Sequence, residues 1–109
     1  MLRTLIGTDL WIDQYGSQAF NLDTVLLANF AKIPYRTKMI LDIGTGVGAV
    51  MLYLSQKTKA KIIGIEIQRE RYIQACKNIE MNHLENQLSC LYGDVKAMRF
   101  ENIDYIISN

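Results

Sequence analysis

Short apolar segments alternate with amphipathic ones along this chain, and this order predicts strands that alternate with helices. Short apolar runs predict strands over residues 38–43, 61–65, 88–92 and 104–108. Residues 48–57 predict a helix that is apolar on most sides and therefore buried, and residues 69–83 predict an amphipathic helix with an apolar face of Tyr72, Ile73, Cys76 and Ile79. Strands that alternate with helices predict an α/β fold with a parallel sheet, and right-handed crossovers give the strand order 3-2-1-4.

The first 37 residues do not follow this alternation. Residues 1–18 hold short apolar pieces broken by Gly7 and Gly16, and they predict a hairpin or an irregular arm. Residues 22–31 are almost wholly apolar and stop before Pro34, so they predict a buried helix. We therefore divide the chain into an arm with a helix, residues 1–37, and a sheet domain, residues 38–109.

Composition is that of a single globular domain. The 109 residues are 50% hydrophobic and 21% charged, and the net charge of +1 gives no global signal for nucleic acid. We interpret the local basic clusters as solvated loop faces, with an RNA-contacting patch as the alternative; they are Lys57 with Lys59 and Lys61, Arg36 with Lys38, and Arg69 with Arg71. No apolar run is long enough to span a membrane.

The two cysteines, Cys76 and Cys90, lack the spacing of metal ligands. We therefore expect no metal site. They predict reduced thiols in a cytoplasmic protein.

The strongest chemical signal lies where the first predicted core strand meets the first helix. Here Asp42 precedes a turn that contains Gly44, Gly46 and Gly48. Glycines allow positive φ and let a ligand approach the backbone closely. About 20 residues further on, Glu66 ends the second strand, where a carboxylate can accept both hydroxyls of a ribose. Together these features predict a nucleoside cofactor, bound at the switch point of the sheet.

Two classes of cofactor fit the glycine turn. Gly44, Gly46 and Ala49 satisfy the dinucleotide fingerprint, so an oxidoreductase that binds NAD or FAD is an alternative. However, Asp42 suits a cationic amine better than a pyrophosphate, and Gly93-Asp94 places another carboxylate after the third strand. The ordered series D-x-G-x-G-x-G, then E, then G-D resembles class I S-adenosylmethionine (SAM) methyltransferases.

That resemblance implies a Rossmann-like SAM methyltransferase fold, of which this chain supplies the N-terminal half. It also implies that Asp42 holds the amino group of SAM, directly or through water. The backbone at Gly44, Gly46 and Gly48 then wraps the methionine portion of the cofactor.

The same resemblance assigns the ribose and the adenine of SAM. Glu66 accepts the ribose hydroxyls, and Gln68 forms part of the same wall of the ribose site. Asp94 accepts a hydrogen bond from the adenine amine, and the backbone N–H of Val95 contacts the adenine ring.

The last six residues resemble the start of the motif D-x-I-x-x-N-P-P-[YF] of amino-methyltransferases. In that family the Asn side chain and the next Pro carbonyl accept hydrogens from the target amine, which implies a catalytic role for Asn109. Asn109 is the last residue given and follows an apolar strand directly. We therefore expect the chain to be the N-terminal part of a longer protein and to be inactive as a fragment.

A closer resemblance covers nearly the whole chain. Residues 18–28, together with the motifs above and residues 64–68, look like bacterial tRNA adenine methyltransferases that modify position 37 of a valine tRNA. This implies methyl transfer from SAM to the exocyclic amine of an adenine in tRNA. It also implies that Phe20 and Asp23 fold over the methionine end of SAM; packing beside the helix and helix capping are the alternatives for these two residues.

Other functions stay open. Protein-glutamine N5-methyltransferases share the Asn-Pro-Pro-Tyr chemistry, but they carry a long helical domain before the first core strand, whereas only residues 1–37 precede it here. A non-catalytic SAM-binding or RNA-binding module is a further alternative for this fragment.

Methyl transfer from a sulfonium depends mainly on alignment, which suits a sequence without a catalytic His, Cys or Ser constellation.

Overall fold

Four parallel strands and two helices form the larger unit of the computed structural model, which describes residues 2–5, 7–13 and 33–108. In chain order the elements are β1 (Leu2–Thr4), β2 (Trp11–Asp13), β3 (Met39–Ile43), α1 (Ala49–Ser55), β4 (Lys61–Glu66), α2 (Arg69–Met81), β5 (Leu88–Tyr92), a short 3₁₀ helix (Val95–Ala97) and β6 (Tyr105–Ser108). The helix predicted over residues 22–31 lies outside the described residues. In the described ranges, no helix has the length and apolarity that crossing a membrane requires.

The sheet confirms the predicted topology. Its order is β5-β4-β3-β6 and all neighbours are parallel, which corresponds to the predicted order 3-2-1-4 of the core strands. In the register, Asp42 of β3 lies between Gly64 of β4 and Ile107 of β6, and Glu66 lies beside Tyr92 of β5. The carboxyl ends of the strands therefore meet at one edge, as they must in a parallel sheet.

One face of the sheet packs against both helices. The chain steps in one direction from β3 to β4 to β5, so right-handed crossovers place α1 and α2 on the same face. Ile40, Ile62 and Leu88 lie side by side on that face and are buried against the helices. Every residue of α1 from Ala49 to Leu54 is buried, which confirms the prediction of a helix that is apolar on most sides. Each large aliphatic side chain buried in this way contributes about 1.5–3 kcal/mol.

The predicted apolar face of α2 is only partly correct. Ile79 is buried, but Tyr72, Ile73 and Cys76 are only half-buried. The helix instead buries Gln74, Ala75 and Asn78 beside Ile79. The physical reason is that α2 also packs against the N-terminal hairpin, whose backbone requires polar partners.

That hairpin is the antiparallel pair of β1 and β2, which is the first of the two forms predicted for residues 1–18; residues 14–18 lie outside the described residues. Two asparagines, Asn78 of α2 and Asn82 directly after its end, hold the β2 edge of the hairpin. The Asn82 amide accepts a hydrogen bond from the N–H of Trp11 (2.8 Å) and donates one to its carbonyl (2.6 Å). The Asn78 amide does the same at Asp13, at 2.8 and 3.2 Å. The side chains thus bond the edge of β2 as a further strand would.

Candidate functional site

The carboxyl edge of the sheet brings together the three motifs that the sequence singles out. The backbone N–H groups of Gly44 and Thr45 both donate to the carbonyl of Ile65, at 2.8 and 3.1 Å, so the glycine turn is fastened to the end of β4. The N–H of Gly93 donates to the carbonyl of Glu66 at 2.9 Å, which fastens the end of β5 to the same place. The ends of β3, β4 and β5 therefore form one continuous rim.

The glycine turn has the positive φ angles that its glycines were expected to allow. Gly44, Gly46 and Gly48 have φ angles of 74°, 61° and 90°, in the left-handed region that other residues rarely adopt. A Cβ built on Gly44 or Gly46 meets no described atom within 4 Å, whereas one on Gly48 contacts Met51 and Ala75. Gly44 and Gly46 therefore leave open space beside the backbone, and Gly48 is required for its positive φ rather than for space.

Asp42 is buried at the base of this turn, with 1% of its surface exposed. The Thr45 hydroxyl donates a hydrogen bond of 2.7 Å to its Oδ2 atom. Burial raises the pKa of Asp42 to about 6; the Thr45 hydrogen bond opposes the rise, and the negative charge of Glu66 adds to it. A carboxylate in such surroundings gains more than an exposed one from a positively charged partner.

Glu66 is also buried, with 4% of its surface exposed, but its hydrogen bonds differ. Its Oε1 atom accepts from the N–H of Gly46 at 2.8 Å, and its Oε2 atom accepts from the N–H of Gln68 at 2.9 Å. A carboxylate offers about four lone-pair sites. One site on each oxygen is therefore used to hold the glycine turn and the start of α2, and the others can accept two hydroxyl groups of a ligand.

The third motif lies at the outer part of the rim. Asp94 is exposed, and its Oδ1 atom accepts from the N–H of Lys96 at 2.9 Å, which caps the short 3₁₀ helix. Val95 is half-buried and Gln68 is exposed at the start of α2. The structure thus places all the predicted cofactor residues from Asp42 to Val95 on one edge, with Asp94 already engaged in a local turn.

Three further predicted site residues lie outside the described residues. They are Phe20, Asp23 and Asn109. Their roles stay predictions.

Sequence reasoning missed two residues that shape this edge. Thr45 occupies a variable position of the glycine motif, yet it is buried and bonds Asp42. Gly64 lies opposite Asp42, and a Cβ there would come within 2.8 Å of Thr45 Cγ2 and 2.7 Å of Met51 Cε. The lone glycine inside an otherwise β-branched strand was the available signal for such a close approach.

Asn78 is a third residue that sequence reasoning missed. It is fully buried, and its Nδ2 atom donates to the carbonyl of Val47 at 2.8 Å as well as to the hairpin. Because Val47 belongs to the glycine turn, one side chain connects the hairpin to the site. The spacing of Gln74, Asn78 and Asn82, four residues apart on one side of α2, was the signal for it.

Known proteins resemble this chain in sequence and in fold. A family described as a methyltransferase domain matches residues 40–109. The chain is 35% identical over 92 residues to the tRNA1(Val) (adenine(37)-N6)-methyltransferase of Actinobacillus pleuropneumoniae serotype 7, and 37% identical over 93 residues to the protein of that name from Christiangramia forsetii. These matches cover 82% and 80% of this chain but 39% of each relative, so the chain spans well under half of their length.

Solved structures share the fold. M. capricolum TrmK in complex with S-adenosyl-homocysteine superposes with a TM-score of 0.65 at 26% identity, covering 82% of this chain and 40% of that one. P. horikoshii TYW2 in complex with MeSAdo superposes with a TM-score of 0.72 at 24% identity, covering 94% of this chain and 39% of that one. At 24% identity, the likeness to TYW2 concerns the fold alone.

Proposed function

This chain belongs to the methyltransferase domain family, and on that premise we propose that it forms the cofactor-binding part of an enzyme that transfers a methyl group from SAM to the exocyclic amine of an adenine in tRNA. The observation that carries the proposal is the single rim on which the glycine turn, buried Asp42 and buried Glu66 meet. The choice of an adenine in tRNA is supported by the names of the relatives, of which this chain covers only 39%.

SAM fits the residues of this rim part by part. Its ammonium group matches buried Asp42, whose carboxylate lacks bulk water and therefore gains from a cation. Its ribose hydroxyls match the lone pairs of Glu66 that the backbone does not use. The open side of Gly44 and Gly46 leaves room for the chain between these two ends. Asp94 and the N–H of Val95 would hold the adenine, and Gln68 would extend the ribose wall.

Bound SAM supplies a methyl group on a positively charged sulfur, which accepts an electron pair and departs as a neutral thioether. The protein therefore needs to align the amine and exclude water rather than to provide a strong base. We assign the alignment to Asn109 and the cover over the methionine end to Phe20 and Asp23, within an arm of residues 1–37. An adenine in a folded RNA must be turned out of its stack to reach this rim.

The test supplies SAM labelled in its methyl group to the full-length protein, with total tRNA in one reaction and purified release factor in the other. We expect label in tRNA, on the amine of an adenine. Label in the release factor and none in tRNA would assign the protein to the glutamine-modifying methyltransferases instead. Asn109→Ala should keep affinity for S-adenosylhomocysteine and lose most turnover, because that side chain is assigned to the amine and not to the cofactor.

A further inference from the structure

A groove of about 1380 Å³ lies at the amino edge of the sheet, opposite the candidate site. Its walls come from the segment before β3, the end of α1 with the loop to β4, and the turn before β6. We call it the basic groove, because five cationic side chains line it beside Tyr35: Arg36, Lys38, Lys57, Lys59 and Lys61. The structure thus unites two clusters that are 19 residues apart in sequence, from Lys38 to Lys57.

The basic groove concentrates positive charge that the net charge of the chain conceals. It contains five lysines and arginines, all of them exposed, whereas six basic and nine acidic residues lie outside it among the described residues. Among its described lining residues one is acidic, Asp104. The Oδ2 atom of Asp104 accepts from the N–H groups of Lys38 and Met39, at 2.8 and 3.1 Å, so this carboxylate is bonded to the start of β3.

Three lysines of the basic groove lie close together in sequence, two in the loop after α1 and one at the first position of β4. Lys57, Lys59 and Lys61 are exposed, whereas Thr58 is half-buried and Ala60 is buried. The side-chain amide of Gln87 donates to the carbonyls of Thr58 and Ala60, at 2.7 and 3.0 Å. These two bonds hold the backbone on either side of Lys59 and directly before Lys61, so the segment presents exposed cations on a backbone that is held in place.

The ring of Tyr35 adds a second kind of contact. It is fully exposed and lies directly before Arg36. An exposed aromatic ring in the same groove as five cations suits a ligand that carries both repeated anions and flat rings. Nucleic acids have both, since their phosphates bind lysine and arginine and their bases stack on aromatic side chains.

We propose that the basic groove binds the phosphate backbone of the RNA substrate at a site separate from the catalytic rim, an inference that rests on the proposed function. The strand β4 connects the basic groove to the catalytic rim, because it runs from Lys61 in the groove to Glu66 at the rim. Five residues of strand span about 17 Å, a distance that one folded RNA bridges easily. Contacts to phosphates fix the position of an RNA without selecting its sequence. The groove therefore orients the tRNA, and the rim performs the chemistry.

The test measures binding of unmodified tRNA to the full-length protein over a range of salt concentrations, without cofactor. The double variant K59Q/K61Q is compared with K77Q/R99Q, which removes the same charge from exposed residues outside the groove. We expect the groove variant to bind tRNA about tenfold more weakly near 0.1 M salt, with a salt slope smaller by about 1–2. The control variant should change affinity by less than about twofold.

Two results would overturn the inference. One is equal affinity and equal salt slope for the groove variant and the control. The other is binding of the wild type to anionic phospholipid vesicles in preference to tRNA, with the groove variant impaired only there. Titration of each variant with S-adenosylhomocysteine alone keeps the question separate from the proposed function: intact cofactor binding with unchanged RNA affinity rejects only the groove, whereas absent cofactor binding rejects the proposed function.

Discussion

At the scale of single residues, the candidate site contains two buried carboxylates in different surroundings. Glu66 accepts a backbone N–H at each oxygen, from Gly46 and Gln68. Asp42 accepts the hydroxyl of Thr45, and its burial raises its pKa to about 6. Asp42 therefore gains and loses its proton close to neutral pH, which makes the site sensitive to pH.

Cofactor affinity should fall as the pH falls through the pKa of Asp42. Above pH 6 the carboxylate is ionised and attracts the ammonium of the cofactor, whereas at pH 5 roughly one molecule in ten retains that charge. We expect affinity for S-adenosylhomocysteine to drop by up to about tenfold between pH 7 and pH 5. Calorimetric titration across pH 5–8 measures this drop. Asp42→Asn should bind weakly at every pH, and a wild type with the same affinity at pH 5 and pH 8 would refute the role of Asp42.

At the scale of elements, one amide side chain of α2 and one directly after its end fasten the hairpin to the sheet domain. Asn78 is fully buried and bonds both the Asp13 backbone and the Val47 carbonyl of the glycine turn. Asn82 makes the equivalent bonds to Trp11, but they lie at the exposed end of the hairpin. The two asparagines therefore make similar bonds in different solvent environments.

Asn78→Ala should destabilise the fold more than Asn82→Ala. Removing the buried amide leaves backbone groups without partners where water does not replace them, at a cost of about 2–4 kcal/mol. Water can replace the amide of Asn82, so its removal should cost about 0.5–1.5 kcal/mol. Urea denaturation of the two variants measures both free energies of unfolding. Equal losses would show that the Asn78 bonds do not hold the hairpin and the glycine turn together.

The elements show what the sequence could predict and what it could not. The strands follow from short apolar runs, and their order follows from the alternation of strands with helices and from right-handed crossovers. The glycine turn was predictable because a backbone with positive φ favours glycine. The two carboxylates were predictable because each lies at the end of a predicted strand. The buried face of α2 was not, since a hydrophobic pattern treats Gln74 and Asn78 as exposed. Whether they are buried depends on the hairpin, which is distant in sequence.

At the scale of the whole molecule, the sheet separates two edges of opposite character. The carboxyl edge holds the glycine turn with buried Asp42 and Glu66, and the amino edge holds the basic groove. A net charge of +1 conceals this division, because acidic residues outnumber basic ones among the described residues outside the groove. The two proposals therefore assign the cofactor to one edge and the RNA backbone to the other.

Calorimetric titration of the full-length protein with S-adenosylhomocysteine, and separately with NADH, tests the cofactor assignment most directly. We predict saturable binding of S-adenosylhomocysteine and no binding of NADH. Glu66→Ala should weaken the binding by about 1.5–3 kcal/mol, as expected for lost charge-assisted hydrogen bonds. Glu85→Ala, which alters an exposed residue, should leave it unchanged. Heat of binding with NADH and none with S-adenosylhomocysteine would contradict the account and favour an oxidoreductase.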